Sequence, residues 1–135
     1  MPKIPDQKVI EQIEAGIVAM LEEKGSGLSF VNLEEIPGFS GNEAMFSEKV
    51  NVLLWQGVSI EAIDAIFSLE DVGIIEFDSA SLLRYRTDGK FLRLPLADLL
   101  TLSSIKKNFH KVYSSPHWLP MLFLKGENFQ KQVVL

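Results

Sequence analysis

The chain of 135 residues contains 47% hydrophobic and 23% charged residues, which is ordinary for one soluble globular domain. It has no cysteine, and this excludes a disulfide framework, a thiolate zinc site and a cysteine nucleophile. No apolar run approaches the roughly 18 residues of a membrane span, and the first residues lack the apolar core of a signal peptide. The sequence therefore predicts a soluble, cytoplasmic protein with a single domain over residues 1–135.

The net charge of −5 is distributed unevenly along the chain. Residues 1–79 contain four Lys/Arg and 15 Asp/Glu, a net charge of −11, whereas residues 80–135 contain nine Lys/Arg and three Asp/Glu, a net charge of +6. Such a division is typical of a molecule whose halves attract each other or attract a partner. It is equally compatible with ordinary solvated faces.

The first predicted helix begins after Asp6, a residue suited to the N-cap position, and it ends at Lys24 and Gly25. Its apolar residues recur at helical spacing, so one face must pack against the rest of the domain. After "GSG", the segment "LSFVNLEEIPGFSG" predicts a short extended piece and then a short helix, with capping-box spacing between Asn32 and Glu35.

The segment 42–58 is compatible with two interpretations. Met45, Phe46 and Val50 would share one side of a helix, whereas "VNVLLW" has the composition of a buried strand. We favour a helix that ends near Lys49, followed by a strand that leads into Trp55.

The third predicted helix begins at Ser59, a good N-cap residue, and ends at Gly73 before the strand-like run "IIEF". A broad apolar surface is expected from Ile60, Ile63, Ile66, Phe67, Leu69 and Val72. Polar residues at spacings of three, four and three are expected to share one solvent-facing stripe: Glu61, Asp64, Ser68 and Asp71.

The dipeptide Asp88–Gly89 lies between two runs of alternating apolar and basic residues in "SLLRYRTDGKFLRLPL", residues 81–96, and this pattern is typical of a β-hairpin. In such a hairpin Leu83, Tyr85 and Phe91 would face the core. The outward-facing cations would be Arg84, Arg86, Lys90 and Arg93.

Beyond Pro95, the spacing of Leu102, Ile105 and Phe109 predicts another amphipathic helix, which extends to Tyr113. Its solvent-facing side would carry Lys106, Lys107, His110 and Lys111. The following segment, "SSPHWLPMLFLKG", predicts a turn and then a largely buried extended segment.

The order of these elements resembles a winged-helix domain: three helices, an exit from the third through "SLEDVGII", and a basic hairpin. The resemblance covers about residues 6–95, and residues 96–135 form a C-terminal extension of one helix and one strand. It implies an α+β fold in which the hairpin is the wing. The segment 38–58 departs from the pattern, because it is longer than a compact helix-turn-helix allows.

A DNA-binding winged helix uses the exposed face of its third helix to contact bases and phosphates, through Arg, Lys, Asn and Gln. Here that face would carry Glu61, Asp64 and Asp71, whose charges oppose contact with phosphate. A DNA-binding transcriptional regulator is therefore the alternative hypothesis, with contact made through the cations of the wing. Edge strands also carry such cations simply to prevent unwanted pairing.

The sequence offers little catalytic chemistry. His110 and His117 are seven residues apart, without the spacing of metal ligands, and "GFSG" lacks the second glycine of a serine elbow because Asn42 follows it. We therefore expect no enzymatic activity, no cofactor and no metal.

The leading hypothesis from the sequence is a non-catalytic protein–protein interaction module. Its acidic stripe, Glu61, Asp64 and Asp71, is expected to meet a basic surface. That surface belongs either to an unknown protein partner or to a second copy of the chain, through Lys106, Lys107 and Lys111.

Overall fold

The computed structural model describes residues 4–47, 51–80, 82–97 and 113–129. Its helices are α1 (Gln7–Lys24), α2 (Phe30–Leu33), α3 (Ile60–Asp71) and α4 (Leu82–Asp88). Its strands are β1 (Ser40–Ser47), β2 (Val52–Val58), β3 (Ile75–Ser79), β4 (His117–Trp118) and β5 (Met121–Lys125). This mixture of helices and small sheets confirms the predicted α+β class.

The strands in the described ranges form two sheets. In the first, β2 lies between β1, which is antiparallel to it, and β4, which is parallel. In the second, β3 pairs antiparallel with β5. Leu28, shortly after α1, bridges Phe123 of β5. The late strands β4 and β5 therefore complete sheets whose other strands come from earlier in the chain.

Aromatic side chains from five elements form the centre of the core. The Trp55 ring lies 5.6 Å from Phe30, 5.3 Å from Tyr85 and 5.9 Å from Trp118, measured between centroids. Phe123 meets Phe30 edge to face at 4.9 Å. All five side chains are buried. Such pairs add specific geometry to the stabilisation that burial provides, so they fix how the helices and sheets meet.

The ends of α1 and α3 agree with the sequence predictions. The Asp6 carboxylate accepts a hydrogen bond from the backbone N–H of Lys8 at 3.0 Å, and the Ser59 hydroxyl accepts one from Ala62 at 3.0 Å. Gly73 follows α3 with a φ of +80°, a conformation that glycine adopts without steric cost. The two helices pack against each other through their buried faces.

The predicted cap of the second helix was wrong. Ser29 is the N-cap of α2 and Asn32 occupies the third helical position, so the capping box joins Ser29 to Asn32 rather than Asn32 to Glu35. The helix begins earlier than predicted because Phe30 and Leu33 are both buried, and the first turn must carry them into the core.

The predicted helix before Lys49 was also wrong, because Ser40–Ser47 is the strand β1. The predicted strand into Trp55 is confirmed, and it continues to Val58. Lys49 itself lies outside the described residues. Pairing with β2, in which Met45 lies opposite Trp55, outweighs the helical spacing of the apolar residues in this segment.

The predicted β-hairpin over residues 81–96 was wrong as well. The described part begins with α4, and Gly89 follows that helix with a φ of +92°. Asp88–Gly89 is therefore a helix C-terminus and not a hairpin turn. Tyr85 faces the core as predicted, but Leu83 and Phe91 are 70% and 41% exposed. The segment that would form a wing is a short helix and an irregular stretch.

The predicted C-terminal amphipathic helix, with Lys106, Lys107, His110 and Lys111, lies outside the described residues except for Tyr113, which is buried. The extended segment after it is confirmed as β4 and β5. Over the described ranges, no helix combines the length and apolarity needed to cross a bilayer.

Candidate interaction surfaces

The orientation of α3 follows from the residues that it buries. One side of the helix packs against α1, β1 and β3. That side contains Ala62, Ala65, Ile66 and Leu69, all of which are buried. Because a helix returns to the same face every three or four residues, the opposite side is left facing solvent. Asp64, Ser68 and Asp71 are exposed there, as predicted.

Two apolar side chains accompany these carboxylates. Phe67 is 44% exposed and Val72 is 53% exposed. Phe67 follows Asp64 by three positions and precedes Asp71 by four, so all three lie on one face of the helix. We call the surface formed by Asp64, Phe67, Ser68, Asp71 and Val72 the acidic–apolar face. An apolar centre with a charged rim is the composition of a protein contact site.

Glu61 does not belong to this face, and its predicted exposure was wrong. Its side chain is only 4% exposed, and its Oε2 atom accepts a hydrogen bond from the backbone N–H of Asp6 at 3.0 Å. The start of α1 lies against the start of α3, so Glu61 is turned towards α1. Its role is structural, because its carboxylate holds Asp6, the N-cap residue of α1, against the start of α3.

Arg84 was predicted to project from a wing, but its guanidinium is bound within the fold. Its Nε atom lies 3.1 Å from the Asp88 carboxylate, Nη2 donates to the Asn32 side chain at 2.9 Å, and Nη1 donates to the Gly27 carbonyl. Asp88 also accepts a hydrogen bond from the Ser29 hydroxyl. These contacts fasten α4 to the loop before α2, so Arg84 is not available as a free cation.

Arg86 and Arg93 remain exposed, each beside an exposed apolar residue. The Arg86 guanidinium lies 5.7 Å from the centre of the Phe91 ring, and Leu83 precedes Arg86 by three positions on α4. Phe91 and Arg93 are exposed on either side of the buried Leu92. We call these exposed residues, Leu83 and Arg86 of α4 and Phe91 and Arg93 after it, the basic–apolar face.

A groove of about 530 Å³ lies beside this face. It is lined by residues 41–44 of β1, 55–57 of β2 and 90–92 after α4. Lys90 is the cation among these lining residues, and its Nζ atom lies 2.9 Å from Oε1 of Glu34. The other Glu34 oxygen accepts a hydrogen bond from the Trp55 indole at 2.9 Å. The groove cation is therefore already paired, and its partner is anchored to the core.

The structure thus divides the predicted site residues into three groups. Asp64, Asp71, Arg86 and Arg93 are exposed, whereas Glu61, Arg84 and Lys90 contact groups within the chain. Lys106, Lys107 and Lys111 lie outside the described residues. The exposed apolar residues were not predicted from the sequence. The position of Phe67 between Asp64 and Asp71 could have indicated that its ring is exposed.

The chain matches no known protein family, no curated protein and no solved structure. Within the described ranges, no group of three or more His, Asp or Glu side chains is arranged to hold a metal ion.

Proposed function

We propose that the protein is a non-catalytic interaction module that binds another protein through the acidic–apolar face of α3. The observation that carries this proposal is the exposed Phe67 between the exposed carboxylates of Asp64 and Asp71. Burial of an aromatic ring provides affinity, and the surrounding charges select the partner and orient it.

The chemistry of the face defines the partner. Two carboxylates favour a segment that carries Lys or Arg, and Phe67 with Val72 favours an apolar side chain between those cations. A basic amphipathic helix has both features. The charges are exposed, so the contact should weaken as salt screens them.

Nucleic-acid binding through Arg84, Arg86, Lys90 and Arg93 has weaker support. Arg84 and Lys90 already contact carboxylates of the chain, at 3.1 and 2.9 Å. Two exposed arginines are few for a backbone-binding surface, since each phosphate contact supplies only part of the affinity for DNA. The exposed carboxylates of α3 would repel the same phosphates.

Fluorescence anisotropy tests the proposal with a labelled peptide of residues 101–113, "TLSSIKKNFHKVY", whose sequence predicts a basic amphipathic helix. We expect binding that weakens with added NaCl. The double variant Asp64→Lys with Asp71→Lys should bind the peptide three- to tenfold more weakly. This corresponds to about 0.7–1.4 kcal/mol for the loss of two exposed charge contacts. Phe67→Ser should also weaken binding, because the apolar centre is lost.

The control is Glu22→Lys with Glu23→Lys, which makes the same charge change on exposed residues of α1. This variant should bind the peptide within about twofold of the wild type, a difference of less than 0.5 kcal/mol. Equal losses in both double variants would show that net charge alone attracts the peptide. That result, or no binding by the wild type, would refute the proposal.

A further inference from the structure

We infer that the partner of the acidic–apolar face is a second copy of this chain, which presents its basic–apolar face. The inference rests on the proposed function and adds the identity of the partner. It predicts a head-to-tail contact in which α3 of one copy meets α4 and residues 91–93 of the next.

The two faces are complementary in composition. The acidic–apolar face has two exposed carboxylates, Asp64 and Asp71, around an exposed phenylalanine. The basic–apolar face has two exposed guanidinium groups: Arg86 lies 5.7 Å from the ring of another exposed phenylalanine, Phe91, and Arg93 follows Phe91 by two positions. Each face also has a second exposed apolar residue. A contact between them would bury apolar side chains at its centre and place opposite charges at its rim.

Among the described residues, no carboxylate pairs with the arginines of the basic–apolar face. Arg84 pairs with Asp88 and Lys90 pairs with Glu34, which accounts for two cations of the segment 84–93. Arg86 lies against the Phe91 ring, and neither Arg86 nor Arg93 forms an ion pair with a described carboxylate. The negative charge of residues 1–79 and the positive charge of residues 80–135 can therefore meet between copies at these positions.

The faces lie on different elements. The helix α3 packs on α1, β1 and β3, whereas α4 packs on α2. In the head-to-tail contact each copy uses its acidic–apolar face for one neighbour and its basic–apolar face for another, so the assembly keeps one free face of each kind at its ends. Each contact involves few side chains, so it should be reversible and should depend on concentration and salt.

Sedimentation velocity over a series of protein concentrations tests this inference. At about 0.02 M NaCl, where charges act over some 20 Å, the average mass should rise with concentration; at about 0.5 M it should return to that of the monomer. Asp64→Lys with Asp71→Lys, and separately Arg86→Glu with Arg93→Glu, should each remain monomeric. Glu22→Lys with Glu23→Lys should behave like the wild type.

The decisive experiment mixes the two charge-reversal variants in equal amounts. Association should return, because each chain then offers the face that the other needs; the chain with all four reversals should also associate. A mixture that stays monomeric, or association that survives either reversal, would overturn the inference. A monomeric wild type that still binds the 101–113 peptide would overturn this inference alone and leave the proposed function standing.

Discussion

The indole N–H of Trp55 donates a hydrogen bond to Glu34 at 2.9 Å, and the second oxygen of the same carboxylate lies 2.9 Å from the Lys90 ammonium. One carboxylate thus joins the aromatic core to an exposed cation at the groove. The two contacts should contribute unequally to the free energy of unfolding, since Trp55 is buried and Lys90 is largely exposed.

Replacement of Glu34 should therefore cost more than replacement of Lys90. Glu34→Ala leaves the buried Trp55 N–H without its acceptor, and we expect a loss of about 1–3 kcal/mol in the free energy of unfolding. Lys90→Ala removes only an exposed ion pair, at about 0–1 kcal/mol. Urea unfolding measures both. Equal losses would mean that the indole hydrogen bond contributes nothing.

Replacement of the two arginines of α4 should likewise have unequal effects on the free energy of unfolding. Arg84→Ala removes contacts to Gly27, Asn32 and Asp88, and it should lower the free energy of unfolding by about 1–3 kcal/mol. Arg86→Ala should change it by at most about 0.5–1 kcal/mol, because that side chain is exposed and contacts the exposed Phe91 ring. Chemical denaturation of the two variants under identical conditions is the measurement, and a larger effect of Arg86→Ala would contradict the structure.

Burial holds the pKa of Tyr85 well above its usual value, although its hydroxyl donates to the Met121 carbonyl at 2.6 Å and accepts from Phe30. The unfolded chain loses this proton near pH 10, while the folded protein keeps it. The stabilisation is therefore complete below about pH 10 and falls as the pH rises further.

Tyr85→Phe provides the test of this linkage. At neutral pH the variant should be less stable, by about 1–3 kcal/mol, because the Phe30 N–H and the Met121 carbonyl lose their partner. The difference between wild type and variant should shrink above about pH 10, as the unfolded wild type ionises. Unfolding measured from about pH 8 to 11 checks this, and a constant difference would contradict it.

Glu61 and Asp64 are three positions apart on α3 but should respond differently to alanine. Glu61→Ala removes a buried acceptor of the Asp6 N–H, so we expect a loss of about 1–2 kcal/mol and faster hydrogen exchange at the start of α1. Asp64→Ala should be nearly neutral for stability. Similar losses of stability in the two variants would contradict the buried position of Glu61 and indicate that it lies on the solvent-facing side of α3. Charge reversals that probe binding should therefore spare Glu61.

Local signals in the sequence were sufficient for some elements. The starts of α1 and α3 depend on Asp6 and Ser59, whose side chains bond to N–H groups within three residues. Such contacts need no information from the rest of the chain, and they were predicted correctly. The α+β class was also predicted correctly, although it came with the winged-helix resemblance, whose β-hairpin over residues 81–96 is not present in the described part of that segment.

Other elements depend on partners far away in the sequence. Asp88–Gly89 suits both a hairpin turn and a helix end, and contacts of Arg84 with Gly27 and Asn32 favour the helix. Likewise, Phe67 was grouped with the apolar surface of α3 because it is apolar, although its spacing from Asp64 and Asp71 places it on their side of the helix, and the packing of α3 leaves that side exposed. Glu61 was misplaced for the same reason.

The arrangement of β4 and β5 has a consequence for synthesis on the ribosome. Trp118 and Phe123 complete the core, and Phe123 exchanges backbone hydrogen bonds with Leu28, near the opposite end of the described chain. A nascent chain that ends before residue 113 lacks both strands, so one edge of β2 and one edge of β3 stay open to mispairing. Such a fragment should be readily proteolysed. Folding is therefore expected to follow synthesis of the last strand, and the growing chain would need protection until then.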